Sequence, residues 1–423
     1  MDHFDYISGK LHADQVSLQQ IADDVGTPFY CYSASTFERH AQVFMDAFKT
    51  VNALVCFAVK ANSNIATLSL LGSQGMGADV VSGGELKRAV KAGIPVKRIV
   101  FSGVGKTVDE MRMALEMGIH QFNVESVEEL HVLSAVAVAM GKEAPISFRI
   151  NPHVDAGTHD KISTGRKEDK FGISWERADE VYSLAAELPG LAIVGVDVHI
   201  GSQLTDLDPF RRAFQRVMDL VLALREKGHA IDRIDLGGGL GIPYGDEETP
   251  PEPSAYGAMI CDMLAGAGLS DVQLILEPGR LIAGNAGVMV SKVLFVKKGD
   301  QRDFLILDAG MNDLMRPALY GAYHSIRPVS EPTNDALHHY DVVGPVCETG
   351  DTFAKERALP AVAAGDIVAF SSAGAYGAVM SNSYNSRDLI PEVLVKGDQW
   401  QVIRDRVSID DMLERESVPD WLE

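Results

Sequence analysis

Short apolar runs alternate with loops and amphipathic stretches between about residue 50 and residue 285. The runs are almost continuously apolar, which is typical of strands that are buried on both faces of a parallel sheet. The pattern predicts eight strands, at residues 54–60, 78–82, 98–103, 121–126, 146–152, 194–201, 233–239 and 273–279.

Helical patterns separate several of these strands. Residues 84–93 and 109–118 each end in glycine, which is a common helix stop, and residues 208–228 form a longer amphipathic stretch. Eight strand–helix repeats in about 230 residues match the count and size of a TIM (β/α)8 barrel. An open, doubly wound sheet is the alternative that the pattern leaves open.

The pattern changes after about residue 286. The following segments are β-rich and punctuated by glycine, and no long helical pattern separates them, so we expect a mostly antiparallel β domain. The predicted domains are therefore a barrel at 34–285 and a β domain at 286–423. The polar stretch 154–172 follows the fifth predicted strand and has no apolar period, which favours a functional loop.

Charge and cysteine content narrow the class of protein. The chain has 423 residues and a net charge of -21, from 38 basic and 59 acidic residues, which opposes a nucleic acid or an anionic membrane as partner. No apolar run approaches the ~18 residues of a membrane span, and the first ten residues lack the features of a signal peptide. The four cysteines are scattered, so we expect a cytoplasmic protein without structural zinc.

Residues with chemical potential collect where the predicted strands end. Because the carboxyl ends of barrel strands meet at one mouth, we expect these side chains to lie close together. They are Lys60 after the first strand, His199, Gly201 and Ser202 after the sixth, Gly237, Gly238 and Gly239 after the seventh, and Glu277, Pro278, Gly279 and Arg280 after the eighth.

Each of these features has an ordinary interpretation and a chemical one. Lys60 is either a surface lysine or a desolvated amine that forms a Schiff base, and His199 is either a core residue or a ring that stacks on a cofactor. The glycine run is either a tight turn or a phosphate cradle. Glu277 either pairs with Arg280 or holds a ring nitrogen, and a helix that begins near Arg280 would then offer its N-terminus to an anion.

Together the chemical interpretations require a cofactor with an aldehyde, a cationic ring nitrogen and a phosphate, and pyridoxal phosphate (PLP) has all three. The motifs GxGxxG, GxxxxGK[ST] and HExxH are absent from the sequence.

Several short motifs resemble those of one enzyme family. FAVKAN, HIGSQ, DLGGGLGIPY, EPGR, CETGD and GAYG, together with NPHVDAGTHDKISTG and KFGI, are similar to the signatures of the diaminopimelate decarboxylases. These are PLP-dependent enzymes of the alanine racemase-like fold, a TIM barrel plus a β domain. The resemblance extends from about Thr27 to about Asp388.

The resemblance implies decarboxylation of meso-2,6-diaminopimelate to L-lysine and CO2, the last step of lysine biosynthesis. Lys60 would carry PLP covalently, His199 would stack on the ring and Glu277 would hold the pyridine nitrogen. Cys347 would be the general acid. The phosphate would bind to Ser202, Gly237, Gly238, Gly239, the backbone of Gly279 and Arg280, and Tyr376, and Pro278 would also contact the cofactor. The substrate would bind to Arg280, Arg316, Tyr320, Glu348 and Tyr376.

The resemblance also implies a homodimer with shared active sites. Cys347 and Glu348 would come from the neighbouring subunit, and residues 1–33 would pack with the β domain. On the residues alone, the interpretation of Cys347 as a small core residue is favoured over that of a general acid. Arg316 and Tyr320 are four residues apart and would share a helix face, which is either exposed to solvent or an anion clamp.

Four other functions stay open at this point. A basic amino-acid decarboxylase of the ornithine, arginine or lysine type is disfavoured if Arg316 binds a distal carboxylate, which ornithine and lysine lack. Alanine racemase uses a tyrosine base and lacks a CETGD-like pair. A non-catalytic PLP-binding protein is usually a single barrel, and an inactive regulatory subunit would not need Lys60, Cys347 and Glu348.

Overall fold

The structure is a computed structural model that describes residues 2–154, 170–245, 249–333 and 336–422. The chain forms two compact units. The barrel unit contains residues 38–243 and 248–282, and the sheet unit contains residues 1–37, 244–247 and 283–423. Helix Ala34–Asp46 carries the chain from the sheet unit into the barrel unit.

The barrel unit is built on eight parallel strands. The fifth strand pairs with the fourth as well as with the sixth, so the sheet closes on itself. The predicted TIM barrel is thereby confirmed, and the open sheet is wrong. In chain order the barrel strands are Ala53–Ala58, Gly77–Val80, Ile99–Phe101, Gln121–Val124, Ala144–Asn151, Leu191–Asp197, Arg233–Asp235 and Gln273–Leu276.

Helices follow most of these strands, and several begin at a residue that caps them. The side chains of Ser82, Thr107 and Ser126 each accept a hydrogen bond from a backbone N–H in the first turn of the helix that follows. The helices are Ile65–Ser73, Gly83–Lys91, Val108–Met117, Val127–Met140, Ala178–Glu187, Asp208–Glu226 and Pro253–Gly266. The short strand Ile173–Ser174 pairs in parallel with the fifth barrel strand.

The sheet unit is mostly antiparallel. Its small sheet consists of Phe4–Ile7, Lys10–Ala13 and Val16–Ser17. Two of the pairings in the larger sheet are parallel, namely Phe29–Ser33 with Glu392–Lys396 and Asp303–Leu307 with Leu337–Val343. The other strands of the larger sheet are Gly287–Lys297, Ile326–Pro328, Thr352–Pro360, Ile367–Phe370 and Gln399–Arg404, and the α-helices of the unit are Leu18–Val25, Arg316–Tyr320 and Ile409–Leu413.

One apolar core joins the N-terminal segment to the sheet of this unit. Phe4, Leu11 and Ile21 pack with Val288 and Val393, all of them buried. Strand Phe29–Ser33 also lies between strands Gly287–Lys297 and Glu392–Lys396. The N-terminal residues are therefore part of the β fold. Among the described residues no helix is long and apolar enough to cross a membrane.

The structure differs from the sequence-based expectation in two details at the strand ends. Several strands end two to four residues earlier than predicted, so the candidate residues lie on the turns that follow. The helix that begins at Arg280 has only four residues, Arg280–Ala283. Most of the predicted loop 154–172 lies outside the described residues.

Candidate active site

Lys60 lies just beyond the first barrel strand, in the 3-10 turn Val59–Ala61. Its side chain is 38% exposed, and its Nζ is 2.8 Å from Oδ2 of Asp79, a fully buried residue of the second strand. The turn is fixed at the barrel end because Ala58 N donates to Pro278 O at 3.1 Å. The amine is thus held at the mouth and stays accessible to a reactant.

Glu277 lies beyond the eighth strand, and polar side chains from the fourth strand and from just beyond the third strand contact its carboxylate. Ser102 Oγ and Asn123 Nδ2 lie 3.3 and 3.4 Å from Glu277 Oε1. Asn123 Nδ2 also donates to Asp235 Oδ2 at 3.1 Å and to Ser102 Oγ at 3.2 Å. Asn123 belongs to the fourth strand and Asp235 to the seventh, so these side chains meet across the interior of the barrel.

Burial is the largest cause of the pKa shifts of the carboxylates inside the barrel. It raises the pKa of Glu277 well above its usual value, and the neighbouring Asp235 and Asp79 raise it further. Burial also raises the pKa values of Asp197 and Asp235, each of which faces another carboxylate. A cation placed beside Glu277 would therefore be strongly stabilising.

His199 is held as a neutral imidazole. Its Nδ1 accepts a hydrogen bond from Gly238 N at 3.1 Å, so that nitrogen carries no proton. The ring keeps part of its surface exposed, but surrounding protein lowers its pKa well below the usual value, and Arg149 and Lys60 lower it further. A neutral, flat ring at the barrel mouth suits stacking on an aromatic cofactor.

The glycine run after the seventh strand has no room for side chains at two of its positions, Gly238 and Gly239. A Cβ on Gly238 would lie 2.3 Å from the carbonyl oxygen of Glu277, and one on Gly239 would lie 2.5 Å from that of Gly201. Gly237 and Gly239 also have positive φ angles of 64° and 112°. Ser202 lies at the same barrel end, where its Oγ accepts a hydrogen bond from Arg280 at 2.9 Å, so hydroxyl, guanidinium and bare backbone occur together.

These residues fit pyridoxal phosphate. Lys60 offers an amine for the aldehyde and Glu277 a carboxylate for the ring nitrogen, and the hydroxyl of Ser202 and the guanidinium of Arg280 lie beside the glycine run, where a phosphate could approach the backbone closely. Two buried carboxylate oxygens, Asp79 Oδ1 and Asp197 Oδ1, have no hydrogen-bond partner among the described residues. This excess of buried acid favours a cationic ring.

The sheet unit carries the other candidate residues. Cys347 and Glu348 lie on an exposed turn, where Cys347 N donates to Asn385 Oδ1 at 2.8 Å. The buried carboxylate of Asp351 fixes this turn, because it accepts hydrogen bonds from Val346 N at 2.7 Å and from Met311 N at 2.6 Å. The thiol is therefore presented on a rigid turn and is not a core residue.

Arg316 and Tyr320 are the first and last residues of the one-turn helix Arg316–Tyr320. Arg316 is buried and Tyr320 is partly buried, so Arg316 is not the solvent-exposed residue that one interpretation allowed. Tyr376 lies in the turn after strand Ile367–Phe370 with a positive φ of 56°, which is uncommon for a residue other than glycine.

Comparison with known proteins decides the family. The sequence profile of "Pyridoxal-dependent decarboxylase, pyridoxal binding domain" matches residues 34–284. The diaminopimelate decarboxylases of Zymomonas mobilis and Pseudomonas aeruginosa are 49% and 50% identical to this chain, and each alignment covers 99% of both proteins. The chain belongs to the diaminopimelate decarboxylase family.

A solved structure agrees with this assignment. The crystal structure of diaminopimelate decarboxylase from Helicobacter pylori complexed with L-lysine superimposes with a TM-score of 0.90 at 42% identity, covering 95% of this chain and 100% of that one. Membership of the diaminopimelate decarboxylases confirms the predicted enzyme class, a carboxy-lyase, and the predicted cofactor, PLP. A non-catalytic PLP-binding protein and a racemase are thereby disfavoured.

Sequence reasoning missed the polar residues inside the barrel. They occupy alternate positions of strands that otherwise look apolar, as in Gln121 and Asn123, whose side chains are 2.8 Å apart. A period of two within an apolar run was the available signal. The residues concerned are Asp79, Asn123, Arg149, Asp197 and Asp235, together with Ser102 and Glu125 just beyond the strands.

Proposed function

We propose that this chain removes one carboxyl group of meso-diaminopimelate as CO2 and leaves L-lysine, with PLP bound at Lys60. The observation that carries the proposal is the meeting of Lys60, His199 and Glu277 at one barrel mouth, with a glycine run that has no side chains and the hydroxyl of Ser202 at the same end. The relatives that bear the name diaminopimelate decarboxylase, one of them complexed with L-lysine, support the choice of substrate.

Each residue has a role that follows from its surroundings. When bound, PLP supplies a conjugated ring that accepts the electron pair left on Cα as CO2 departs. Glu277 keeps a proton on the ring nitrogen, because an anion at this buried position is stabilised by a cationic partner. The neutral His199 lies against the ring without adding a competing charge. Ser202, the segment Gly237–Gly239, Gly279 and Arg280 bind the phosphate, with Tyr376.

The sheet unit supplies the groups that act on the substrate. Cys347 delivers a proton to Cα after CO2 has left, and Glu348 binds the distal amine. Arg316 and Tyr320 bind the distal carboxylate, for which the planar guanidinium is well shaped. The substrate's far end then distinguishes it from lysine and ornithine.

We propose further that the active form is a homodimer in which Cys347 and Glu348 serve the neighbouring subunit's barrel. An exposed thiol and carboxylate on a turn that Asp351 holds rigid are suited to a site that a second copy completes. We place the enzyme in the cytoplasm, because Cys31, Cys56, Cys261 and Cys347 are all free thiols.

The test is to incubate the purified protein with PLP and meso-diaminopimelate and to quantify L-lysine and CO2. We expect equal amounts of both, and turnover of ornithine and lysine at least 100-fold slower. Release of CO2 from ornithine or lysine at a rate that matches or exceeds that from diaminopimelate would overturn the proposal.

A further inference from the structure

The guanidinium of Arg316 is held by two residues to which the preceding roles assign nothing. The side chain of Arg316 is buried, and its Cζ lies 4.7 Å from the centre of the Tyr244 ring, within the range of a cation–π contact. Arg316 Nη1 lies 2.9 Å from Nε2 of His324. Tyr244 therefore supports one face of the guanidinium, and His324 fixes its rotation.

The hydrogen bonds of His324 determine its protonation. Nδ1 lies 2.9 Å from the carbonyl oxygen of Ser371, which can only accept, so Nδ1 carries a proton. The guanidinium of Arg316 can only donate, so Nε2 carries none. The imidazole between these two partners is therefore neutral, with the proton on Nδ1.

A neutral partner leaves the charge of Arg316 intact. A carboxylate in the place of His324 would form an ion pair with the guanidinium and weaken its attraction for an anionic ligand. An imidazole orients the guanidinium through one hydrogen bond and adds no negative charge. This arrangement suits an arginine whose charge is needed by a substrate.

His324 is itself rigidly placed. The residue is 2% exposed, and its carbonyl oxygen accepts a hydrogen bond from Arg357 Nη1 at 2.7 Å. The next residue is fixed to the same turn, because Ser371 N donates to Ser325 O at 2.8 Å. The ring of Tyr244 meets the His324 ring edge-on at 5.6 Å. The three side chains thus form one packed unit.

We propose that His324 and Tyr244 are positioning residues that set the orientation of Arg316 for the distal carboxylate of the substrate. The inference rests on the proposed role of Arg316 and extends it to two residues that contact the guanidinium of Arg316. It predicts that both residues affect the binding of diaminopimelate and leave the chemical step alone.

Two substitutions of His324 separate positioning from general support of the fold. In His324→Asn the amide nitrogen can still donate to Ser371 O, but no acceptor reaches Arg316. In His324→Gln the amide oxygen can reach the position of Nε2 and accept from Arg316. We expect the asparagine variant to raise KM for diaminopimelate about tenfold or more with kcat within about twofold, and the glutamine variant to restore KM to within about threefold of wild type.

The ring of Tyr244 offers a second matched pair. Tyr244→Phe keeps the aromatic face under the guanidinium and should behave like wild type. Tyr244→Leu removes that face and should raise KM about fivefold. Because the conservative variants are expected to fold and to act normally, a general loss of folding in the others would be recognised by their melting temperatures.

The inhibition constant of L-lysine provides the internal reference, since lysine has no distal carboxylate. It should be unchanged in His324→Asn and in Tyr244→Leu. Equal KM values for the asparagine and glutamine variants, a fall in kcat at unchanged KM, or a parallel loss of lysine binding would overturn the inference.

Arg316→Ala separates the failure of this inference from that of the proposed function. If Arg316→Ala weakens diaminopimelate no more than lysine, the role of Arg316 in the proposed function is wrong. If Arg316→Ala is selective for diaminopimelate but His324→Asn has no effect on KM, only the positioning role fails.

Discussion

Glu277 shares the barrel interior with other carboxylates, and its charge is stable only beside a cation. Burial, with Asp235 and Asp79, raises its pKa in the chain alone, while Asn123 and Ser102 fix its Oε1. A protonated ring nitrogen of PLP beside Glu277 would therefore stabilise the carboxylate, and the carboxylate would stabilise the proton on the ring nitrogen. The side chain is positioned before the cofactor binds, so little reorganisation is required.

We expect Glu277→Gln to retain PLP and to lose kcat by about 100-fold, because a preorganised electrostatic partner is removed at the ring nitrogen. Cofactor content is read from absorbance, and kcat from CO2 release. The exposed Glu187→Gln is the control and should leave both values unchanged. A kcat within about twofold of wild type would remove Glu277 from the ring-nitrogen role.

Asp197 makes the stability of the cofactor-free protein depend on pH. Burial is the largest cause that raises its pKa well above the usual value, and the charge of Glu277 is the next largest. As pH rises above the pKa of an unfolded Asp, about 4, the unfolded chain releases a proton that the folded chain retains. Stability is therefore fully present at low pH and is lost as pH rises toward the folded pKa.

Asp197→Asn should flatten this decline. As pH rises above about 4, the free energy of unfolding of the wild type should fall by up to about 1.4 kcal/mol per pH unit more than that of the variant, the limit for one retained proton. Denaturant titrations of the cofactor-free proteins measure the slopes. Asp271→Asn is the control, since this surface carboxylate is paired with Arg225 and its pKa is lowered. Parallel slopes for wild type and Asp197→Asn would contradict the expectation.

At the scale of elements, the barrel strands were predictable and their polar interior was not. The eight apolar runs identified the strands because a parallel sheet is covered on both faces. The roles of Asn123 and Asp235 were hidden in these runs, since each side chain has a hydrogen-bond partner that lies across the barrel. The two residues are more than a hundred positions apart in the sequence, and a local pattern does not show a contact over that separation.

The segment from Arg316 to His324 shows the same limit. Spacing predicted that Arg316 and Tyr320 share a short helix, which the structure contains. The contact of Arg316 with His324 depends on the turn at Gly321, whose φ is positive at 64°, and on the distant Ser371. A local sequence pattern predicts neither the turn at Gly321 nor the contact with Ser371.

The glycine run after the seventh strand gives a prediction at this scale. Gly238→Ala should weaken PLP binding at least tenfold, because a Cβ would lie 2.3 Å from the Glu277 carbonyl oxygen and the turn would have to move. Gly266→Ala is the control, since a Cβ there meets nothing within 4 Å. Titration of the cofactor-free variants with PLP gives the affinities. Normal affinity of the Gly238 variant would mean that the turn does not bind the phosphate.

At the scale of the whole molecule, the proposed dimer predicts complementation between inactive variants. Lys60→Ala and Cys347→Ala are each expected to be inactive. After subunit exchange at equal amounts, half of the dimers are mixed, and each mixed dimer has one intact site. Activity should therefore recover to about a quarter of wild type.

Exchange is verified independently with mass-tagged chains. If exchange is complete and the mixture stays inactive, each site is built within one chain and the shared site is wrong. A mixture of Lys60→Ala with Glu277→Gln is the control, because both residues belong to the barrel unit and no mixed dimer would contain an intact site.

The most direct measurement is to identify the residue that carries the cofactor. Borohydride reduces the bond between PLP and a lysine and makes it permanent, so the modified peptide can be located by mass spectrometry. We predict a single modified peptide, with the label on Lys60, and no label in Lys60→Arg. A label on any other lysine, or a purified protein that takes up no PLP, would contradict the site described here.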